Sequence, residues 1–181
     1  MSIVLVGSTS GSITLQEPAV AGTTVLDLPA TTGTVMVSGN MPAVFAYKDG
    51  ATQSITTGTF TKVTFNTELF DTNNNFASST FTPTVAGYYQ ISGGVSNLGG
   101  SLPVRMILSF YKNGSGYAGI GDFVNTSVQR NYGSTLVYCN GSTDYIELYC
   151  WLSGVTLALD YGISTGVGYN TYFSACLVRA A

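Results

Sequence analysis

The side chains able to do chemistry are few: nine carboxylates, three cysteines and no histidine. Without an imidazole there is no Ser-His-Asp triad, no Cys-His pair and no His-ligated metal site. Hydrolysis of a glycosidic bond by paired carboxylates stays open to such a chain, with Asp71, Asp122, Asp144, Glu147 and Asp160 as candidates. These acids stand singly in turns and strands, as solvated or turn-forming carboxylates do, so the expectation is a protein that is not an enzyme. The oxygen-rich stretches "FDTNNN" (70–75) and "GIGDF" (119–123) lack the spacing of a calcium loop. No metal and no cofactor is therefore expected. Cys139, Cys150 and Cys176 are odd in number and show no Cys-x-x-Cys spacing, which points to small apolar thiols rather than a zinc site or a disulfide framework.

The surface that carries these groups is nearly uncharged. Charged residues make up 8% of the 181-residue chain, whereas Ser and Thr together number 43. Hydroxyls, amides and backbone must therefore face the solvent. Three lysines, three arginines and a net charge of -3 cannot line a phosphate-neutralising groove, so nucleic acid is not an expected partner. No stretch reaches the ~20 uninterrupted apolar residues of a spanning helix, so membrane insertion is not expected either. The opening "MSIVLVGSTSG" has neither the basic start nor the long apolar centre of a secretory signal, which predicts a soluble chain synthesised in the cytoplasm.

The elements that position these groups read as strands. Apolar runs are short, rich in Val, Ile, Thr, Tyr and Phe, and punctuated by 22 glycines and five prolines, the pattern of an all-β protein. "STLVYCNGSTDYIELYCWL" (134–152) predicts a hairpin turning at Asn140-Gly141, with Tyr138 across from Ile146 and Leu136 across from Leu148. "RMILSFYKNGSGYAGIG" (105–121) predicts a second hairpin at Asn113-Gly114, its first strand apolar on both faces. The chain divides near "SGNMPAVFAY". Residues 1–40 form an arm with three β-prone pieces, "SITL", "TVLDL" and "TVMV", too little to close a core alone. Residues 41–181 form the main domain.

In that domain the positions of Phe65, Asp71, Phe76, Phe81 and Gly87-x-Tyr89-x-Ile91 are similar to those of the globular head of complement component one q. "PAVFA" (42–46), "SFYKNG" (109–114) and "YFSACLV" (172–178) resemble the first strand, a hairpin and the closing strand of the same family. The chain departs from it in having Ile91 for a Phe and Gly93 for an aromatic residue. The resemblance implies a jelly-roll β-sandwich of tumour-necrosis-factor-like type that assembles as a homotrimer, with members that sometimes bind calcium. It places Phe65, Phe76, Phe81 and Tyr89 between two sheets, with Asp71 and Asn73 to Asn75 making a bend. The arm "GSITLQEPAVAGTTVLDLPATTGTVMVSG" resembles a connector segment of tail fibres and other virion proteins of tailed bacteriophages.

Together the two resemblances imply a trimeric structural protein on a virion surface, a fibre or spike tip contacting the host, with the arm joining other virion proteins. The alternative is a capsid decoration (cement) protein on the phage head. A glycan or protein of the host surface is the expected ligand, and the Gly-rich stretch 153–170, with Asp160, Tyr161 and Tyr169, is the candidate contact loop. Equally, Leu157, Leu159 and Ile163 could form one more strand there.

Overall fold

The computed structural model describes residues 3–16, 18–20, 22–23, 25, 30, 33, 35–97, 103–124, 130–159 and 169–181. Contacts divide the chain into two compact units, Met1–Thr34 and Val35–Ala181. Among the described residues there is no helix long and apolar enough to cross a membrane.

The first unit contains an antiparallel hairpin of β1 (Ile3–Val6) and β2 (Ser12–Leu15). Its register sets Ile3 across from Leu15 and Leu5 across from Ile13, so these four side chains share one face. Gly7 N–H donates to the Gly11 carbonyl at 2.9 Å, and Gly11 takes a φ of 78° to close the turn. Of the expected β-prone pieces, "SITL" is β2. Most of "TVLDL" lies outside the described residues, and residues 35–37 of "TVMV" are not a strand.

The second unit begins with a 3-10 turn, Ser38–Asn40, latched by its own asparagine. Asn40 Oδ1 accepts from Val37 N–H at 2.7 Å, and its Nδ2 donates to the Val35 carbonyl at 3.1 Å. Met36 packs against the core, which ties this lead-in to the strands that follow. Those are β3 (Ala43–Tyr47), β4 (Gln53–Ile55), β5 (Thr61–Lys62), β6 (Thr67–Asp71), β7 (Phe76–Ala77), β8 (Thr80–Phe81), β9 (Gly87–Ser96), β10 (Arg105–Lys112), β11 (Ser115–Val124), β12 (Arg130–Cys139), β13 (Ile146–Ser153), β14 (Leu157–Leu159) and β15 (Tyr172–Ala180). A five-stranded sheet runs β12-β9-β15-β3-β6, and a six-stranded sheet runs β11-β10-β13-β8-β7 with β5 added beside β13. β14 and β4 form a small two-stranded sheet.

The two main sheets enclose a core ordered by strand alternation. Tyr89 and Ile91 are fully buried while Tyr88 is 47% exposed, and on β13 Ile146, Leu148, Cys150 and Leu152 all point inward. Phe173 is the hub: its ring lies 5.3 Å from Phe76, 6.0 Å from Phe110, 6.1 Å from Phe81 and 6.3 Å from Phe65. The expected core rings Phe65, Phe76, Phe81 and Tyr89 are all buried. At Gly93 a side chain would press on Leu148 and Phe110, which already fill the place of the family's aromatic residue. Asp71 makes its bend by accepting from Asn73 N–H at 3.3 Å and from Phe76 N–H at 2.7 Å, while Asn74 adopts a φ of 57°.

One expected hairpin exists and the other does not. β10 and β11 pair around Asn113 (φ 53°) and Gly114 (φ 76°), the two positive φ values of a type I′ turn. The strands on either side of Asn140, by contrast, lie in opposite sheets: β12 pairs with β9, and β13 pairs with β10, β5 and β8. Leu136 and Tyr138 consequently face outward, at 54% and 41% exposure, and Val137 and Cys139 face the core. The segment between them is a corner wound around Asn140 Oδ1, which accepts from the backbone N–H groups of Ser142, Thr143 and Asp144. Gly141 is needed there, because a side chain would strike the backbone of Val85 and Ala86.

Candidate functional site

The described carboxylates singled out in the sequence hold structure in place. Asp71 forms the bend, Asp122 pairs with Arg105 at 2.5 Å, Asp144 with Lys112 at 2.9 Å and Glu147 with Lys62 at 2.7 Å. The Asn113 amide and the Lys112 ammonium hold the Asp144 carboxyl below its usual range. Lys112 also donates to the Tyr138 carbonyl at 2.7 Å, so this pair links the six-stranded sheet to the corner leaving the five-stranded one. Among the described residues, no three of Cys, Asp and Glu gather into a group that could hold a metal ion. Burial pushes the Cys139 thiol up to about 11 and the Cys150 thiol up to about 12, which keeps both in the inert thiol form. Cys176 is exposed, a departure from the expectation of three buried thiols.

Of the candidate contact loop, Asp160, Tyr161 and Ile163 lie outside the described residues. Leu157 and Leu159 are buried in β14, which pairs with β4. Tyr169 is half-buried, its ring 5.0 Å from Phe45 and 4.5 Å from Tyr47. It belongs to an aromatic cluster on the outer face of the five-stranded sheet, where Phe45 also stacks on Tyr172 at 5.5 Å and tilts against Phe70 at 6.3 Å.

That outer face carries many of the exposed apolar side chains of the second unit. Register lines its residues into rows: Tyr132, Gly94, Tyr172 and Tyr47; Ser134, Ser92, Ser174, Phe45 and Phe70; Leu136, Gln90, Cys176 and Ala43. Tyr132 is 65% exposed, Val178 60%, Leu136 54% and Phe70 45%. Gly94 lets the Tyr132 and Tyr172 side chains close over the strand between them, since a side chain there would meet both. The opposite outer face, on the six-stranded sheet, carries a smaller aromatic group of Phe60, Tyr111, Tyr149 and Trp151. Sequence reading missed this group. Its signal was the alternation of β13: with Leu148, Cys150 and Leu152 inward, Tyr149 and Trp151 must face outward.

No family model matches the chain, and no curated protein matches it. Among solved structures, murine APRIL at pH 8.5 superposes with a TM-score of 0.53 at 8% identity, over 76% of this chain and 99% of that one. Eiger TNF from S. frugiperda gives a TM-score of 0.52 at 6% identity, over 78% of this chain and 95% of that one. Likeness at this level of identity fixes the fold: the chain is a jelly-roll β-sandwich of tumour-necrosis-factor-like type.

Proposed function

We propose that this chain is a non-enzymatic, homotrimeric structural protein on the surface of a tailed-phage virion, a fibre or spike tip that contacts the host. The observation carrying the trimer is the outer face of the five-stranded sheet, where Phe70, Tyr88, Tyr132, Leu136, Tyr138 and Val178 are each more than two-fifths exposed. Apolar patches of that kind mark association surfaces, and covering one yields roughly 25 cal/mol per Å2. A stable contact buries about 800 Å2 on each partner, within the reach of a whole sheet face. Closed threefold packing is heterologous, so one part of this face in each copy would meet a different part of its neighbour's surface and the ring would close.

The virion assignment rests on the connector-like arm, and the exposed β1–β2 hairpin supports an attachment role for it. Among the described residues no further strand pairs with either hairpin edge, which also favours the reading as a capsid decoration protein that adds strands to shell subunits. Light scattering of the purified chain tests the trimer: a mass near three chains is expected, and a clean monomer at micromolar concentration overturns it. A densitometric count of the protein in purified particles separates the two locations, since few copies mean a fibre and very many mean shell decoration. Absence from particles overturns both.

A further inference from the structure

The aromatic group on the six-stranded sheet is assembled from separate parts of the chain. Phe60 precedes β5, Tyr111 lies next to the end of β10, and Tyr149 and Trp151 alternate on β13. Tyr111 and Tyr149 stack with centroids 4.0 Å apart, Phe60 lies 5.9 Å from Tyr111, and Phe60 and Trp151 are tilted by 40° at 6.4 Å. Phe60 is 39% exposed and the other three rings are half-buried. None of them is part of the core, which is filled from the other side of the same strands by Leu148, Cys150, Leu152 and Phe110.

A polar network adjoins the rings. Glu147 Oε1 accepts from Lys62 Nζ at 2.7 Å and from Thr80 Oγ1 at 3.2 Å, and its Oε2 accepts from the Tyr149 hydroxyl at 3.4 Å. Across the strand from Tyr149 sits Ser109, at one wall of a shallow recess of about 170 Å3 whose other lining residues are Gly116, Tyr117, Ala118 and Gly119. Gly116 and Gly119 carry no side chain to cover it.

We propose that this outer face is a binding site for a neutral glycan. A sugar ring has one apolar C–H face and a rim of hydroxyls, and the site offers the complement of each. Phe60 and Trp151 form an apolar V held at fixed tilt, so little side-chain freedom is lost on stacking. Glu147, Lys62, Thr80 and the tyrosine hydroxyls supply acceptors and donors within one strand's length of it. The Lys62 and Glu147 charges cancel, so the site selects for an uncharged sugar. Four partly covered rings also fall well short of the ~800 Å2 per side that a stable protein partner needs. The inference deepens the host-contact reading of the proposed function and moves the contact from the 153–170 loop to the sheet.

Trp151 is the only tryptophan of the chain, so its emission reports this site alone. The full-length protein is titrated with maltohexaose, cellohexaose and N-acetylchitohexaose, with polygalacturonate as an acidic comparison. Saturable change in Trp151 emission is expected with at least one neutral sugar, weakened about tenfold by Phe60→Ala and by Tyr149→Ala and unchanged by Tyr132→Ala on the opposite sheet. Circular dichroism checks that each variant folds, and the exposed Phe60 decides the matter if Tyr149→Ala does not. No emission change with any neutral sugar at about 10 mM, equal binding by wild type and the Phe60 variant, or a response to polygalacturonate alone overturns the proposal. The virion assignment is judged separately on particles, so failure of either leaves the other standing.

Discussion

The two outer faces of the sandwich are built from the same residue types and handle them differently. On the five-stranded sheet, Phe45, Tyr47, Tyr169 and Tyr172 pack together, but Tyr132, Leu136 and Val178 on the same face stand more than half exposed. On the six-stranded sheet, the rings lean on one another and on a Lys62–Glu147 pair, and of the four only Phe60 is exposed. A face of the first kind is costly to leave in water and gains by meeting a large, flat partner. One of the second kind has already satisfied much of its surface and can stay open for a small ligand. Composition alone does not distinguish the two faces; how much apolar surface each leaves exposed does.

The largest effect should come from charging the open face. Tyr132→Glu with Leu136→Glu is expected to raise the trimer dissociation constant about a thousandfold, ~4 kcal/mol, because carboxylates would have to be buried or repel across the interface. Light scattering at micromolar concentration should then report single chains, whereas Tyr149→Ala on the other face should leave the mass unchanged. If the double variant stays trimeric, the five-stranded face is not the interface and the contrast fails.

A smaller effect tests whether the faces depend on one frame. Asp144 ties β10 to the corner after β12 through Lys112 and Asn113, and Asp144→Asn should cost about 1.5–3 kcal/mol at neutral pH, the range for hydrogen bonds to a charged group. The Asp144 carboxyl is held below its unfolded value near 4, so its contribution is fully present above that pH and is lost as pH falls through the folded value. Denaturant titrations across acid pH should show wild type losing this part of its stability and the variant lacking it. Equal pH slopes would remove Asp144 from the frame.

Cys176 gives the finest test. It lies exposed in the Leu136 row, while Cys139 and Cys150 are buried. If a partner covers that row, maleimide should label Cys176 about tenfold faster in the Tyr132/Leu136 variant than in wild type, with the other two thiols silent in both. Equal rates would place Cys176 outside the interface.

Much of the sandwich was legible because alternation and turn chemistry are local. The Asn113-Gly114 hairpin follows from a short stretch of sequence, whereas the Asp71 bend and the inward set Phe65, Phe76, Phe81 and Tyr89 rest on the family resemblance, which short motifs carry. The corner at Asn140 was misread for the same reason. Asn-Gly between two apolar runs is a hairpin signal whether the next strand returns beside the first or crosses to the other sheet. Here Gly141 takes a positive φ and Asn140 does not, and Asp144 and Asn113 draw the chain across. Neither the choice of sheet nor the Phe60–Trp151 group is a local property, since both depend on which distant strands become neighbours.

The outermost strands β11 and β12 meet where their side chains vanish. A methyl group at Gly121 would collide with the Asn131 amide, and one at Gly133 with the Ile120 carbonyl, so the two sheets close against each other along this side. Asn131, fully buried, reaches across to donate to the Met106 carbonyl at 3.3 Å. Unguarded strand edges invite uncontrolled edge-to-edge polymerisation, a particular hazard for a chain with so little charge to keep copies apart. Two glycines and one asparagine close this side of the sandwich, and so take two outermost strands out of reach of edge-to-edge pairing.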